Sequence, residues 1–222
     1  GKNLLGAEAW AAQGIDVGAV PPLPATITEA LLNSECPLHP RQKIKDTHLL
    51  VLIPKTVNGE PYSALKLDEL CATRKGSGDK LIDDWLTKWK KQDWANLPQA
   101  QSEWVLIPKS DPDPERMREK YGEEDGGNRH FRTKDLAAQQ KVHGEHYKEY
   151  REVKALEVMT MALLYDLTHK EERLLPDYLR CEEPNAFGGR VCVGAFNANG
   201  LKVDVAYGDY GNDCIGRALA RK

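Results

Sequence analysis

The chain has 222 residues, 31 Lys+Arg against 34 Asp+Glu, a net charge of −3 and a hydrophobic fraction of 41%. This length suits one good-sized domain with an arm, the charge excludes a strongly basic nucleic-acid binder, and no apolar run approaches the roughly 20 residues of a bilayer span. The five cysteines are odd in number, scattered and without CxxC or zinc-finger spacing, which excludes a disulfide scaffold and favours a reducing, cytoplasmic setting.

Residues 1–35 read as an N-terminal arm. The chain opens at Gly1 without a signal-peptide pattern, which fits a cloning remnant, a processing product or a piece of something longer. Leu4 to Gln13 suits a short helix containing Trp10. Val20-Pro21-Pro22-Leu23-Pro24 must be extended, because each proline pushes its predecessor out of the helical region. A second short helix opens near Thr26–Glu29 and ends at Cys36-Pro37. The remaining residues, 36–222, read as a single domain.

His48-Leu49-Leu50-Val51-Leu52-Ile53-Pro54 is continuously apolar, as suits a strand buried on both faces. Asn58-Gly59 marks a turn. Ser63 to Thr73 suits a helix, and residues 79–94 read as an amphipathic helix with Ile82, Trp85, Leu86 and Trp89 on one side. The Trp85/Trp89 pair reads as core rather than as a stacking platform. A second strand, Ser102 to Lys109, repeats the five residues Val51–Lys55 at Val105–Lys109. Residues 110–130 are polar and read as a long surface loop with one helical turn near Glu115–Lys120. Asp135–Val142 suits a short helix and Val153–His169 a long one. The tail then changes character: Tyr178–Cys181, Arg190–Phe196, Leu201–Tyr207 and Ile215–Arg221 read as strands, with Asn197–Gly200 a hairpin turn. Helices and strands first and a run of antiparallel strands last predict an α+β fold.

Several constellations offer chemistry. His143 and His146 form an HxxH pair with Glu149 nearby, but no third ligand is identified, and the pair reads as exposed histidines rather than zinc. Asp111/Asp113/Glu115 and Glu123/Glu124/Asp125 lack EF-hand spacing and read as solvated loop charge. There is no P-loop, GxGxxG, GxSxG or HExxH motif. These absences point to a non-catalytic protein without a cofactor. The most informative segment is the tail, where Asp204, Tyr207, Asp209, Tyr210, Asn212 and Asp213 crowd together with Gly208 and Gly211. Tyr, Asp, Asn and Gly make adaptable contact surfaces, and loops held by rigid strands are where binding residues cluster. These six residues are therefore the candidate ligand contacts, for a protein or other macromolecular ligand.

Ala9-Trp10, Pro21-Pro22-Leu23-Pro24, Thr47–Pro54, Trp104-Val105-Leu106, Val193-Gly194-Ala195-Phe196 and the closing Ile215–Lys222 resemble a group of uncharacterised bacterial proteins. The order of helices, short strands and a terminal Ile-Gly-containing strand resembles the C-type-lectin fold in its formylglycine-generating-enzyme-like branch. That branch carries Gly-Phe-Arg where this chain has Ile215-Gly216-Arg217. The same fold serves as the variable protein of diversity-generating retroelements, whose adenine-templated residues lie near the C-terminus. Residues 203–214 hold only types that such mutagenesis produces, apart from being common types in general. The resemblance implies a C-type-lectin-like binding domain with a variable face. Two alternatives stay open. Glu183-Pro184-Asn185 and Asn212-Asp213 match parts of the calcium-dependent lectin motifs, which implies a carbohydrate binder using Glu183, Asn185, Asn212 and Asp213. A formylglycine-generating-type oxidase would use Cys192 or Cys214.

Overall fold

The computed structural model describes residues 2–72, 81–83, 87–169, 173–185, 188–206, 208, 209, 211 and 214–222. Strand β1 (Leu4–Leu5) lies parallel to the strand His48–Ile53. Helix α1 (Ala7–Ala11) then swings Trp10 into the core. Its indole N–H donates to the Leu52 carbonyl at 3.1 Å, and its ring meets Tyr62 edge-on. The stretch expected as an arm thus supplies an edge strand and a core tryptophan. The extended Pro-rich stretch is pinned where the Trp104 indole donates to the Pro21 carbonyl at 2.9 Å. Helix α2 (Glu29–Asn33) starts at Thr28, whose hydroxyl accepts the Leu31 N–H at 3.1 Å. Helix α3 (Ile44–Thr47) runs straight into β2 (His48–Ile53).

The Asn58-Gly59 turn forms as expected between β3 (Thr56–Val57) and β4 (Glu60–Pro61). Both turn residues sit at positive φ, 51° and 80°, as the hairpin-compatible turn requires. Helix α4 (Ala64–Ala72) follows. The amphipathic helix expected over 79–94 does not form in the described part of that range. Residues 81–83 instead hydrogen-bond strand-like to Leu201: Asp83 N–H donates to its carbonyl and Leu201 N–H to that of Leu81. A single 3-10 turn, Lys88–Lys91, and helix α5 (Asp93–Asn96) complete the stretch. Trp89 is buried as expected, but its stacking partner is Trp94, with ring centroids 5.8 Å apart. Trp85 lies outside the described residues.

Strand β5 (Glu103–Pro108) pairs antiparallel with β2, and the two five-residue echoes meet only at their first residues, Val51 opposite Val105, and run apart from there. The polar stretch expected as a loop folds into α6 (Pro114–Tyr121) and α7 (Glu123–Asn128). Asp113 caps α6 by accepting the Glu115 and Arg116 amides, with Pro114 at the first helical position. Asp125 pairs with Arg129 at 2.8 Å. Helix α8 (Leu136–His146) is capped by Asp135, and β6 (Tyr150–Glu152) leads to α9 (Ala155–His169).

Every residue of α9 from Ala155 to Tyr165 is buried. A helix buried all round needs neighbours on every side, and α9 has them: β1 and β2 of one sheet, β7 (Tyr178–Pro184), β8 (Arg190–Asn197) and β9 (Gly200–Ala206) of another, and α1 and α4. The chain ends in β10 (Ile215–Arg217) and β11 (Leu219–Arg221). The sequence reads these as one strand. In the fold they separate at Ala218, whose N–H donates to the Arg180 carbonyl at 2.9 Å. Strand β10 lies parallel to β7 in a four-stranded sheet ordered β10-β7-β8-β9. Strand β11 enters a five-stranded sheet ordered β1-β2-β5-β11-β6. The six strand residues of β10 and β11 thereby tie the two sheets together. The fold is α+β with several antiparallel sheets. Among the described residues no helix is long and apolar enough to cross a membrane.

Candidate functional site: the C-terminal sheet and its crossing segment

The four-stranded sheet has two unlike faces. Alternation along its strands puts Leu179, Cys181, Val191, Val193, Leu201 and Val203 on the side packed in the main core with α9. The register fixes the other side. Arg217 lies opposite Arg180, Arg180 opposite Cys192, and Cys192 opposite Asp204, one row across all four strands. Tyr178 and Arg190 flank that row on the same face, two residues along their strands.

The segment 207–214 joins β9 to β10, the two opposite edges of this sheet. Backbone bonds hold it at both ends: Leu136 N–H donates to the Gly208 carbonyl at 2.8 Å, and Tyr178 N–H to the Cys214 carbonyl at 2.9 Å. Between them, a β-carbon on Gly211 would stand 3.0 Å from the Thr133 carbonyl. Residues 133–136 lie on the arginine side, since Arg180 Nη1 donates to the Lys134 carbonyl at 3.1 Å. Asp209, Gly211 and Cys214 are exposed.

Of the six candidate ligand contacts, Asp204 is half-buried on β9 and Asp209 is exposed in the crossing segment. Asp204 holds its own strand's backbone, accepting the Val205 N–H at 2.7 Å. Tyr207, Tyr210, Asn212 and Asp213 lie outside the described residues. No family model, curated protein or solved structure matches this chain.

The residues of the lectin-like alternative that are described have structural work. Glu183 reaches from β7 to the start of α9, where both its oxygens accept the Ala155 N–H, at 2.8 and 3.0 Å. Burial pushes its carboxyl up to about 7. Asn185 is buried; its amide donates to the Arg190 and Ala206 carbonyls and its oxygen accepts the Gly189 N–H. Among the described residues no cluster of three His, Cys, Asp or Glu side chains is arranged to hold a metal ion. His143, of the HxxH pair, contacts the Tyr150 carbonyl through Nε2 at 2.9 Å. The thiol of Cys192 is buried and pushed up to about 12, chiefly by burial, which keeps it protonated and un-nucleophilic at neutral pH. Cys214 is exposed.

The arginine side was not singled out by sequence reasoning. Arg217 is 3% exposed, and its guanidinium pairs with Glu152 of β6. Burial pulls it below its ordinary value; Glu152 opposes that pull, while the nearby charges of Arg190 and Arg180 reinforce it. Its Nε and Nη1, and Nε of Arg190, are buried without a hydrogen-bond partner. Asp111 stands beside it, its Oδ1 accepting the Arg217 N–H at 3.2 Å and its carboxyl raised to about 7 by burial. Arg132 lies 3.9 Å from Asp111 and bonds Asp177 at 2.9 Å. A signal was present in the strand alternation: Arg180 and Arg190 stand at alternate positions among apolar residues, and Arg217 continues the pattern in the last strand.

Proposed function

We propose that this chain is a non-catalytic binding protein that presents its C-terminal crossing segment to a protein or other macromolecular ligand, on a C-type-lectin-like fold of the kind used by diversity-generating retroelement variable proteins. The observation that supports this reading is the placement of the described residues between β9 and β10, which are opposite edges of the sheet: Gly208 and Cys214 are held by backbone bonds, and Asp209, Gly211 and Cys214 are exposed. Exposed positions such as Asp209 and Gly211, beside a sheet backed by a buried helix, tolerate substitution at little cost to the core. Asp204, Tyr207, Asp209, Tyr210, Asn212 and Asp213 are the proposed contacts.

The test is genetic. Sequencing the locus should reveal a near-identical template repeat beside a reverse transcriptase, with adenines at the codons of these six residues and sibling copies differing there. A locus without the repeat, whose siblings are invariant at those codons, overturns the reading.

A further inference from the structure

We propose that the extended segment Val20–Pro24 is a displayed polyproline II ligand, and that its partner is a protein domain with a groove lined by uncharged aromatic side chains. The segment lies apart from the C-terminal contacts, and neither reading depends on the other.

The sequence dictates the conformation. Pro21, Pro22 and Pro24 fix their own φ, and Val20, Pro21 and Leu23 each precede a proline, which turns them away from the helical region. Such a run adopts polyproline II, with three residues per turn. Exposure follows that period. Pro21 and Pro24, three apart, are half-buried, whereas Ala19, Val20, Pro22, Leu23 and Ala25 are exposed. One face is therefore held against the domain and two are presented. Val20 and Leu23 share a presented face, about 9 Å apart by the rise of 3.1 Å per residue, and are 43% and 54% exposed. Two of the four large apolar side chains exposed among the described residues thus stand in line on one short segment.

The fold holds the segment in shape from three sides. Upstream, Gly18 takes a φ of 65° and donates its N–H to Asp16 Oδ1 at 2.9 Å, while Asn58 N–H donates to the Asp16 carbonyl at 2.7 Å and Asp16 N–H to Asn58 Oδ1 at 2.9 Å. In the middle, the Trp104 indole grips the Pro21 carbonyl. Downstream, Ile27 N–H closes a turn on the Pro24 carbonyl at 2.9 Å. Val17, at the near end, is anchored in the main core. A ligand ordered before it binds loses little conformational entropy on docking, which separates this segment from a free Pro-rich tail.

The composition fixes the partner's chemistry. No residue from Val17 to Thr28 is charged, in a chain that is 29% charged. A nucleic acid or an acidic or basic protein surface has nothing to pair with here. Aromatic-lined grooves that take Pro-rich segments match both the shape and the neutrality. The bond from Trp104 already shows the chemistry on the held face: an aromatic side chain beside a proline, with a ring N–H on its carbonyl.

The probes are isolated SH3, WW and EVH1 domains, whose grooves are of this kind, titrated into the 15N-labelled full chain. At least one should give saturable shifts centred on the Ala19, Val20, Leu23 and Ala25 amides and the Trp104 indole N–H. The affinity should be nearly the same at low and high salt, because no charge pair is being screened. Leu23→Ala should weaken binding about tenfold, as loss of one well-packed leucine contact does, with the circular dichroism and urea midpoint unchanged. Pro22→Gly keeps Val20 and Leu23 but loosens the helix, and it should weaken binding as well. Leu97→Ala, at a 68% exposed position outside the segment, should change nothing. Absence of saturable shifts with every domain overturns the proposal, as does an equal loss in Leu97→Ala. Self-association, or binding to phosphatidylcholine vesicles, that is lost in Leu23→Ala would assign this face to a second copy or to lipid and would also overturn it.

Discussion

The carboxylate of Asp111 occupies the space that a β-carbon on Gly216 would need. A Cβ built at position 216 stands 1.6 Å from Asp111 Oδ2, while Asp111 Oδ1 accepts the N–H of the next residue, Arg217, at 3.2 Å. Glycine at 216 is what allows a buried carboxyl to lie flat against the backbone of β10.

Gly216→Ala should therefore destabilise the protein by about 1–3 kcal/mol, the usual cost of forcing extra volume into a packed site, read as a lower urea midpoint with an unchanged slope. Asp111→Ala removes the clashing atoms, so the double variant should be more stable than the sum of the two single effects predicts. Equal midpoints for Gly216→Ala and the parent chain would show that Asp111 does not sit there.

The same carboxyl makes stability depend on pH. Its value is raised from 3.8 to about 7 in the fold. Between those values the folded state holds a proton that the unfolded state has lost, so the contribution of Asp111 is complete below about 4 and disappears as pH rises through about 7. Glu183, raised to about 7, has the same sign. His48, pushed down to about 3, and His130, pushed down to about 4, have the opposite sign: their contribution grows as pH rises towards the ordinary histidine value. The net curve mixes both, so the difference between parent and Asp111→Asn is the informative quantity. Asparagine keeps an oxygen for the Arg217 N–H. The variant should gain on the parent between pH 5 and 7.5, at a limiting slope of about 1.4 kcal/mol per pH unit. A difference that does not change with pH would mean Asp111 titrates as if exposed.

Helix α9 was legible in the sequence because it is long and free of Pro and Gly; what carries its N-terminus was not. Glu157 was hidden inside the apolar pattern. It is 1% exposed, accepts both Arg151 nitrogens at 2.6 and 3.0 Å, and takes the Lys154 N–H at 2.7 Å, the backward reach of a capping-box glutamate. Glu183 takes the next amide from 28 residues away. Glu157→Gln should cost roughly 1.5–3 kcal/mol, the range for hydrogen bonds to charged groups, measured by thermal and urea unfolding. Glu183→Gln keeps an acceptor for Ala155 and should cost less. The opposite ranking would assign the main capping role to Glu183.

Local pattern served best where the chain satisfies itself. Strands β2 and β5 are apolar runs that find each other, and Asn58-Gly59 makes its own turn. It failed where a distant backbone decides. Ile82 has helical spacing to its neighbours, yet Leu201 binds residues 81–83 as a strand. The run Ile215–Arg221 is evenly strand-like, and only the presence of two sheets splits it at Ala218. In the candidate site, the exposed Asp209 was readable from loop composition. The alternation of each strand marked the arginines singly, but their row was not readable, because it exists only through the registers Arg217–Arg180 and Arg180–Cys192, which pair residues far apart in sequence.

The five thiols should separate sharply by reactivity. Cys36, Cys71, Cys181 and Cys192 are buried, and Cys214 is exposed in the crossing segment. Burial raises the thiols of Cys36 and Cys181, and pushes that of Cys192 up to about 12, so even transient access would meet little thiolate at neutral pH. A disulfide-exchange reagent should therefore titrate one thiol rapidly in the native protein and five in denaturant, and Cys214→Ser should abolish the rapid phase. Because the Cys214 side chain is exposed, its modification should leave the unfolding midpoint nearly unchanged. A second rapidly reacting thiol at Cys192 would show that the arginine side of the sheet is open to solvent, and it would restore the oxidase alternative that a buried, protonated thiol argues against.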